Sequence, residues 1–228
     1  MPDCVTGGQG TVGLRIPGHP VALALLRAFA GEAGGRRYSG VAAPSANKFG
    51  RISPTTAAHV RVELGGAVAA VLDGGECEVG IESTIIDLSR GRAVQLRPGQ
   101  ITPAQIAAVL GVEVELPDAA APRAPGALES HYAPRTPLNM VAAAELPARL
   151  AALRGRKVAV LARAAAPEGL QEVHWQEAPR AVAGYAHELY ASLRRLDDLA
   201  CELILVEVPP AVPEWQGVND RLRRATSK

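Results

Sequence analysis

Two stretches of small residues combine hydroxyl groups with turn formers, a pattern suited to binding an anion. Residues 43–54 contain Ser45 and Ser53, and residues 81–87 contain Ser83 followed by a threonine. Because no bulky side chain blocks approach, such turns present backbone N–H groups and short hydroxyls to a ligand. Ser53 followed by proline also predicts the start of a helix, whose positive end favours phosphate.

Two arginines have spacing or context that suits an anionic ligand. Strand-like alternation over residues 11–16 places Thr11 and Arg15 on one face, where the arginine could form a forked pair with a carboxylate. Taken alone, this pattern favours a solvated arginine on a strand edge. Arg97 precedes a Pro-Gly turn and is either a surface charge or a planar group for phosphate or a stacked base. The glycines of residues 7–10 lack the Gly-Lys-Ser/Thr ending of a phosphate loop and favour a flexible turn.

The elements that must position these residues alternate between helix and strand. This alternation favours an α/β fold, with a small parallel sheet covered by helices after a proline-rich passage at residues 116–137. It predicts domains at 1–115 and 138–228, joined by a linker at 116–137. The predicted helices span 19–34, 53–64, 102–111, 145–153, 182–199 and 218–225. The predicted strands span 11–16, 68–73, 83–88, 93–96, 157–162, 172–175 and 202–208.

Composition narrows the classes of function. A chain of 228 residues with 48% hydrophobic content can bury one good core or two modest ones. The net charge of +1 gives no global field toward nucleic acid. Arg194, Arg195 and the basic tail 221–228 are candidates for weak RNA contact, although solvated helix faces explain them equally well.

The chain has no sequence signal for a zinc site or for export. Its three cysteines form no CxxC pair, and its five histidines are scattered. No apolar run approaches membrane-spanning length, and the first residues lack the pattern of a signal peptide. We therefore expect a cytoplasmic protein that does not contact a membrane.

Five segments together resemble one known family. Residues 11–17, 43–54, 81–87, 96–99 and 131–134 resemble the motifs of the threonylcarbamoyl-adenylate synthase family, also called the YrdC/Sua5 family, in the family's order. The resemblance covers the chain nearly end to end. It implies a partial YrdC-like twisted α/β domain joined by a Pro-rich linker to a small Rossmann-like Sua5 C-terminal domain.

The resemblance also implies a reaction. L-threonine, bicarbonate and ATP would give threonylcarbamoyl-adenylate and diphosphate, and the product would feed N6-threonylcarbamoylation of adenosine 37 by downstream tRNA-modification machinery. ATP would bring Mg²⁺ with its phosphates, so that no dedicated protein metal site is expected. Catalysis would come from positioning and charge neutralisation, without a covalent nucleophile.

The family pattern assigns roles to individual residues. Arg15 would clamp the carboxylate of threonine, and Ser83 would also bind this substrate. The linker would fold over the nucleotide, although residues 128–130 replace a stretch that is usually basic and Ala124 replaces a frequent serine. The residues implied to contact ATP are Thr11, Ala43, Ser45, Ser53, Arg97 and Tyr132.

Two early motifs of the family do not occur in this sequence: the Pro-Thr-Glu-Thr-Tyr-Gly type signature and the Lys-x-Arg motif. Their absence predicts truncation, an open sheet edge, exposed apolar surface and little or no synthase activity of this chain by itself. A degenerate relative, or completion by another polypeptide, would explain the same absence.

Functions of other classes are the alternatives. A non-catalytic nucleotide- or RNA-binding relative would bind ATP or tRNA without releasing diphosphate. A carbamoyltransferase of the hydrogenase-maturation type would need zinc-finger and acylphosphatase-like segments, which this sequence lacks. A serine hydrolase would need a Gly-x-Ser-x-Gly elbow around Ser83, and a Rossmann dehydrogenase would need a Gly-x-Gly-x-x-Gly turn after a strand. Neither pattern is present.

Overall fold

The computed structural model describes residues 2–32, 40–126, 131–170 and 172–226, and it contains two sheets. The α-helices are α1 (Asp3–Thr6), α2 (Pro20–Glu32), α3 (Ala57–Leu64), α4 (Pro103–Leu110), α5 (Leu146–Ala152), α6 (Val182–Asp198) and α7 (Gln216–Thr226). The strands are β1 (Ile85–Asp87), β2 (Ala93–Arg97), β3 (Val114–Glu115), β4 (Leu138–Val141), β5 (Val158–Ala162), β6 (Val173–Glu177) and β7 (Leu203–Glu207). Short 3₁₀ helices follow α3 (Gly65–Ala67) and precede α7 (Pro213–Trp215).

The first sheet has three strands in the order β1-β2-β3. β1 pairs antiparallel with β2, so that Ile85 lies opposite Arg97. This register brings the segment before β1, which contains Ser83, beside the end of β2. Gly99 allows the close approach, because a Cβ atom there would lie 2.4 Å from the Thr84 amide nitrogen.

The second sheet is entirely parallel, with strand order β4-β7-β5-β6. Every residue of β5 and β7 is buried, as expected for central strands covered on both faces. One face packs against α5 through a cluster that includes Leu146 and Leu150. The opposite face packs against α6 and α7 through a larger cluster that includes Leu189 and Leu222.

All six predicted helices, with shifted ends, and all three predicted strands of the second domain are present. The capping box of α4 is complete, because Thr102 accepts from the Gln105 amide and the Gln105 side chain accepts from the Thr102 amide. The prediction that Ser53 caps the helix over residues 53–64 is wrong. α3 begins at Ala57, and its cap is Thr56, whose hydroxyl accepts from the His59 amide at 3.1 Å.

Two predicted strands are wrong. Residues 11–16 and 68–73 belong to no paired strand among the described residues. A strand needs a ladder partner and a surface for its apolar side chains, whereas Leu14 and Ile16 are 84% and 94% exposed. Conversely, β3 and β4 were not predicted, since each is short and follows prolines or a turn.

The predicted exposed apolar surface is present in the first domain. Large hydrophobic side chains are exposed along α2, at Phe49 and at Leu72. The predicted end of α2 at Gly34 and the 128–130 part of the linker lie outside the described residues. No helix of the described chain is long and apolar enough to cross a membrane.

Candidate active site

The carboxylate of Glu82 lies at the junction between the two domains and binds both of them. Its Oε1 accepts from the Ser53 hydroxyl at 2.6 Å. Its Oε2 accepts from the Tyr190 hydroxyl of α6 at 2.8 Å and from Arg221 Nε of α7 at 2.7 Å. Burial raises the pKa of Glu82, but the charge of Arg221 and these hydrogen bonds outweigh it, so that the pKa is lowered overall. Glu82 is therefore ionised at neutral pH.

Arg221 is completely buried and contacts two strand ends of the first domain. Besides the carboxylate of Glu82, it donates to the main-chain carbonyl of Glu82 at 3.1 Å and to that of Pro98 at 3.0 Å. Asp220, which is also buried, accepts a hydrogen bond from Arg221 Nη1 at 2.8 Å. The guanidinium thus meets the requirement that a buried charge be paired and hydrogen-bonded.

Arg97 connects the Ser83 segment to the linker. Its Nε and Nη2 donate to the Ser83 carbonyl at 3.1 and 2.9 Å, and its Nη1 donates to the Pro125 carbonyl at 2.9 Å. Burial lowers the pKa of Arg97, and the neighbouring charge of Arg221 lowers it further. The hydrogen-bond partners of Arg97 are neutral carbonyls, so that its positive charge is available to an anion.

The linker passes through the junction between the two domains at Tyr132, which is 1% exposed. Its backbone has φ of 63°, an uncommon conformation for a non-glycine residue. The ring stacks on Tyr190 with centroids 5.6 Å apart, and the Arg221 guanidinium lies 5.4 Å from its centre. The next residue, Ala133, donates to the Gly50 carbonyl at 2.9 Å and so fastens the linker to the 43–54 loop.

The structure brings four of the predicted site residues together: Ser53, Ser83, Arg97 and Tyr132. Arg15 is exposed, yet it is near enough for its charge to contribute to lowering the pKa of Arg97. The other three, Thr11, Ala43 and Ser45, make none of the hydrogen bonds of this cluster among the described residues. Ala43 and Ser45 are exposed, and Thr11 is half-buried.

Sequence reasoning missed Glu82, Tyr190 and Arg221. Arg221 lies in a run of basic residues near the chain end that was interpreted as a solvated face or an RNA contact, and both interpretations are wrong for this residue. They are also wrong for Arg194, whose Nε and Nη2 donate to the carbonyls of Ser53 and Ile52. The available signal was the helical spacing, which places Arg221 on the apolar face of α7 with Val218, Leu222 and Ala225.

No group of three or more His, Cys, Asp or Glu side chains in the described chain has the geometry to hold a metal ion. A surface cavity of about 670 Å³ lies along β6, lined by Trp175, Gln176 and Arg195 among others. It includes none of the predicted site residues. The junction between the two domains holds arginines, hydroxyls and main-chain groups. These groups can bind an anionic ligand.

Comparison with known families agrees with this architecture. A family model described as telomere recombination, which groups Sua5, YciO and YrdC proteins, matches residues 1–99. A second model, described as threonylcarbamoyl-AMP synthase, C-terminal domain, matches residues 101–227. The fold and the junction define the class as a two-domain protein of the Sua5 type.

Individual relatives make the assignment more specific. The chain is 36% identical to threonylcarbamoyl-AMP synthase of Bacillus subtilis (strain 168), over 97% of this chain and 64% of the relative. It is 33% identical to the Pyrococcus abyssi enzyme of that name, over 99% of this chain and 67% of the relative. The chain belongs to the threonylcarbamoyl-AMP synthase family, and it spans about two thirds of the length of these relatives.

Solved structures show the same fold. The crystal structure of P. abyssi Sua5 complexed with L-threonine matches with a TM-score of 0.81 and 30% identity, over 99% of this chain and 66% of that chain. A double-alanine variant of the same protein matches with a TM-score of 0.83 and 29% identity.

Proposed function

We propose that this chain forms the site of an L-threonylcarbamoyladenylate synthase, which converts L-threonine, bicarbonate and ATP to threonylcarbamoyl-AMP and diphosphate. The observation that supports this most strongly is the likeness to a Sua5 protein solved with L-threonine, which extends over 99% of the chain. The product would serve tRNA N6-threonylcarbamoylation. The partners of the chain would then be ATP, L-threonine, bicarbonate and the downstream tRNA-modification machinery.

Arg15 and Ser83 are the proposed threonine ligands. Arg15 contributes a charge for the carboxylate and lies in the same electropositive field as Arg97. Ser83 is exposed, while its carbonyl is held by Arg97, so that its side chain is free to face a substrate on a fixed backbone. This combination of an open side chain and a restrained main chain suits a binding residue.

The proposed ATP contacts are Thr11, Ala43, Ser45, Ser53, Arg97 and Tyr132. Arg97 would supply positive charge to the triphosphate, whereas the charge of the neighbouring Arg221 is paired with Glu82 and Asp220. The Ser53 hydroxyl donates a hydrogen bond to Glu82 in the present arrangement, so that it would have to rotate away from Glu82 to donate to a phosphate oxygen. Mg²⁺ would arrive with ATP as part of the substrate, held chiefly by phosphate oxygens.

The chemistry requires positioning more than a reactive side chain. The amine of threonine would attack the carbon of bicarbonate and form a carbamate with loss of water. A carbamate oxygen would then attack the α-phosphorus of ATP, breaking the bond to the β-phosphate and releasing diphosphate. This chain's groups would hold carbamate and phosphate in line and neutralise their charge. The buried Tyr132 would cover the nucleotide and exclude water from the labile carbamate and mixed anhydride.

The test is a mass-spectrometric assay for threonylcarbamoyl-adenylate with purified chain, ATP, Mg²⁺, bicarbonate and L-threonine. Controls omit threonine and bicarbonate separately, and calorimetry measures the binding of threonine and of ATP in parallel. Product that depends on both substrates, or threonine binding without turnover, would support the proposed site. Failure to form product together with failure to bind either threonine or ATP would contradict it.

A further inference from the structure

We infer that the second domain is the positioning element for the ligand site, and that Arg221 is its principal positioning residue, with Arg194 second. This inference rests on the proposed function for the identity of the ligands, but not for the geometry. The two arginines come from different helices, α7 and α6, and both bind main-chain carbonyls of the first domain.

The carbonyls they bind adjoin predicted site residues. Arg221 holds the carbonyl of Glu82, which precedes Ser83, and the carbonyl of Pro98, which follows Arg97. Arg194 donates to the carbonyls of Ile52 and of Ser53 itself. Three separate segments of the first domain are therefore fixed by the second domain within one residue of a predicted ligand contact.

Backbone contacts between the domains reinforce these bonds. A Cβ atom on Gly80 would lie 2.2 Å from the His187 carbonyl oxygen of α6. A Cβ atom on Gly217 in α7 would lie 2.8 Å from the Gly99 carbonyl oxygen. Main chain thus packs on main chain on both sides of the 81–99 region, which leaves little freedom for relative sliding.

The linker belongs to the same arrangement. Tyr132 lies between the Tyr190 ring and the Arg221 guanidinium, and both of these groups bind Glu82 Oε2. We call Glu82, Tyr132, Tyr190 and Arg221 the interdomain cluster. Removing Arg221 would leave the carboxylate of Glu82 without its charged partner and the Tyr132 ring without its cationic neighbour, so that the linker would open more often.

A lysine at position 221 preserves the positive charge of Arg221 but not the planar set of N–H donors of its guanidinium. Its single ammonium could bind the Glu82 carboxylate, yet it could not span the Glu82 and Pro98 carbonyls as the guanidinium does. A purely electrostatic or merely stabilising role predicts that Arg221→Lys behaves as wild type. A positioning role predicts that it behaves much like Arg221→Met.

The experiment compares the full chain with Arg221→Met, Arg221→Lys and Arg194→Met. Leu150→Ala is the matched control, because it weakens the second domain through the cluster on the opposite face of its sheet. Two quantities are measured: hydrogen exchange of residues 131–136, and the dissociation constants of L-threonine and ATP.

We expect both Arg221 variants to raise linker exchange by about tenfold or more and to weaken ligand binding by about tenfold, with a smaller change for Arg194→Met. Leu150→Ala should lower the unfolding temperature without selectively exposing the linker. Linker exchange and affinities within about twofold of wild type in Arg221→Lys would overturn the inference. If the wild-type chain binds neither ligand, the proposed function fails, and linker exchange alone then decides the positioning role.

Discussion

The guanidinium of Arg97 donates two hydrogen bonds to one main-chain oxygen, the carbonyl of Ser83, at 3.1 and 2.9 Å. The same side chain reaches the Pro125 carbonyl of the linker at 2.9 Å. A residue proposed to contact the nucleotide therefore also fixes the segment proposed to hold the amino acid. We therefore expect the two binding events to be interdependent.

Arg97→Lys tests that interdependence. Lysine can replace only one of the three bonds, so we expect the affinities for ATP and for L-threonine to fall together, each by about tenfold. Isothermal titration of each ligand measures the effect. Arg61→Lys is the control, because the Arg61 side chain forms an exposed ion pair with Asp73 and no other ion pair within the described residues. Loss of ATP affinity with unchanged threonine affinity would show that Arg97 does not position Ser83.

Gly126→Ala tests the closed position of the linker. A Cβ atom there would lie 2.0 Å from the Tyr132 hydroxyl oxygen, and φ is +72°. We expect Tyr132 to be displaced and hydrogen exchange of residues 131–136 to increase. Gly91→Ala has the same φ of +72° with no atom within 4 Å of the new Cβ, so it should cost only about 1–2 kcal/mol of backbone strain. Equal exchange in the two variants would contradict the prediction.

The lowered pKa of Glu82 predicts a specific pH dependence of stability. Its stabilising contribution is complete above the unfolded pKa of about 4.3 and is lost as the pH falls through the lower folded pKa. Glu82→Gln should therefore be less stable than wild type at pH 7, with a difference that shrinks in acid. Thermal unfolding between about pH 3 and pH 7 measures this, with Glu78→Gln as an exposed control. A difference that does not vary with pH would mean that the Glu82 charge is not responsible.

Gly217→Ala should destabilise the protein although it lies in a helix. Alanine is ordinarily favoured over glycine in a helix by about 0.5–1 kcal/mol. At Gly217, however, the Cβ atom would lie 2.8 Å from the Gly99 carbonyl oxygen, so overpacking should reverse the sign and cost about 1–3 kcal/mol. Gly31→Ala in α2, where nothing lies within 4 Å, should be neutral or mildly stabilising. Urea unfolding of both variants measures the change in the free energy of unfolding, which should be negative for Gly217→Ala and zero or slightly positive for Gly31→Ala.

Local signals predicted the elements whose partners lie nearby in sequence or whose burial is uniform. The Thr102-Pro103 start and Gly111 end of α4 were predictable because capping is a local interaction. The central strands β5 and β7 were predictable because every position in them is buried. All their residues are apolar except Glu207, the last residue of β7. The strand predicted at 68–73 is wrong, because pairing depends on a distant partner that the local sequence does not reveal.

The sequence by itself determined the family, and it predicted a two-part organisation and the chemical types of the proposed site: hydroxyls in turns, arginines and a linker tyrosine. Only the tertiary structure decided which charges are buried and what they bind. Arg221 and Arg223 are both arginines near the end of the chain, yet the first is fully buried against Glu82 and the second has a side chain 72% exposed. Residue type cannot distinguish them, because the burial of a charge depends on a carboxylate and carbonyls that are more than 100 residues away in the chain.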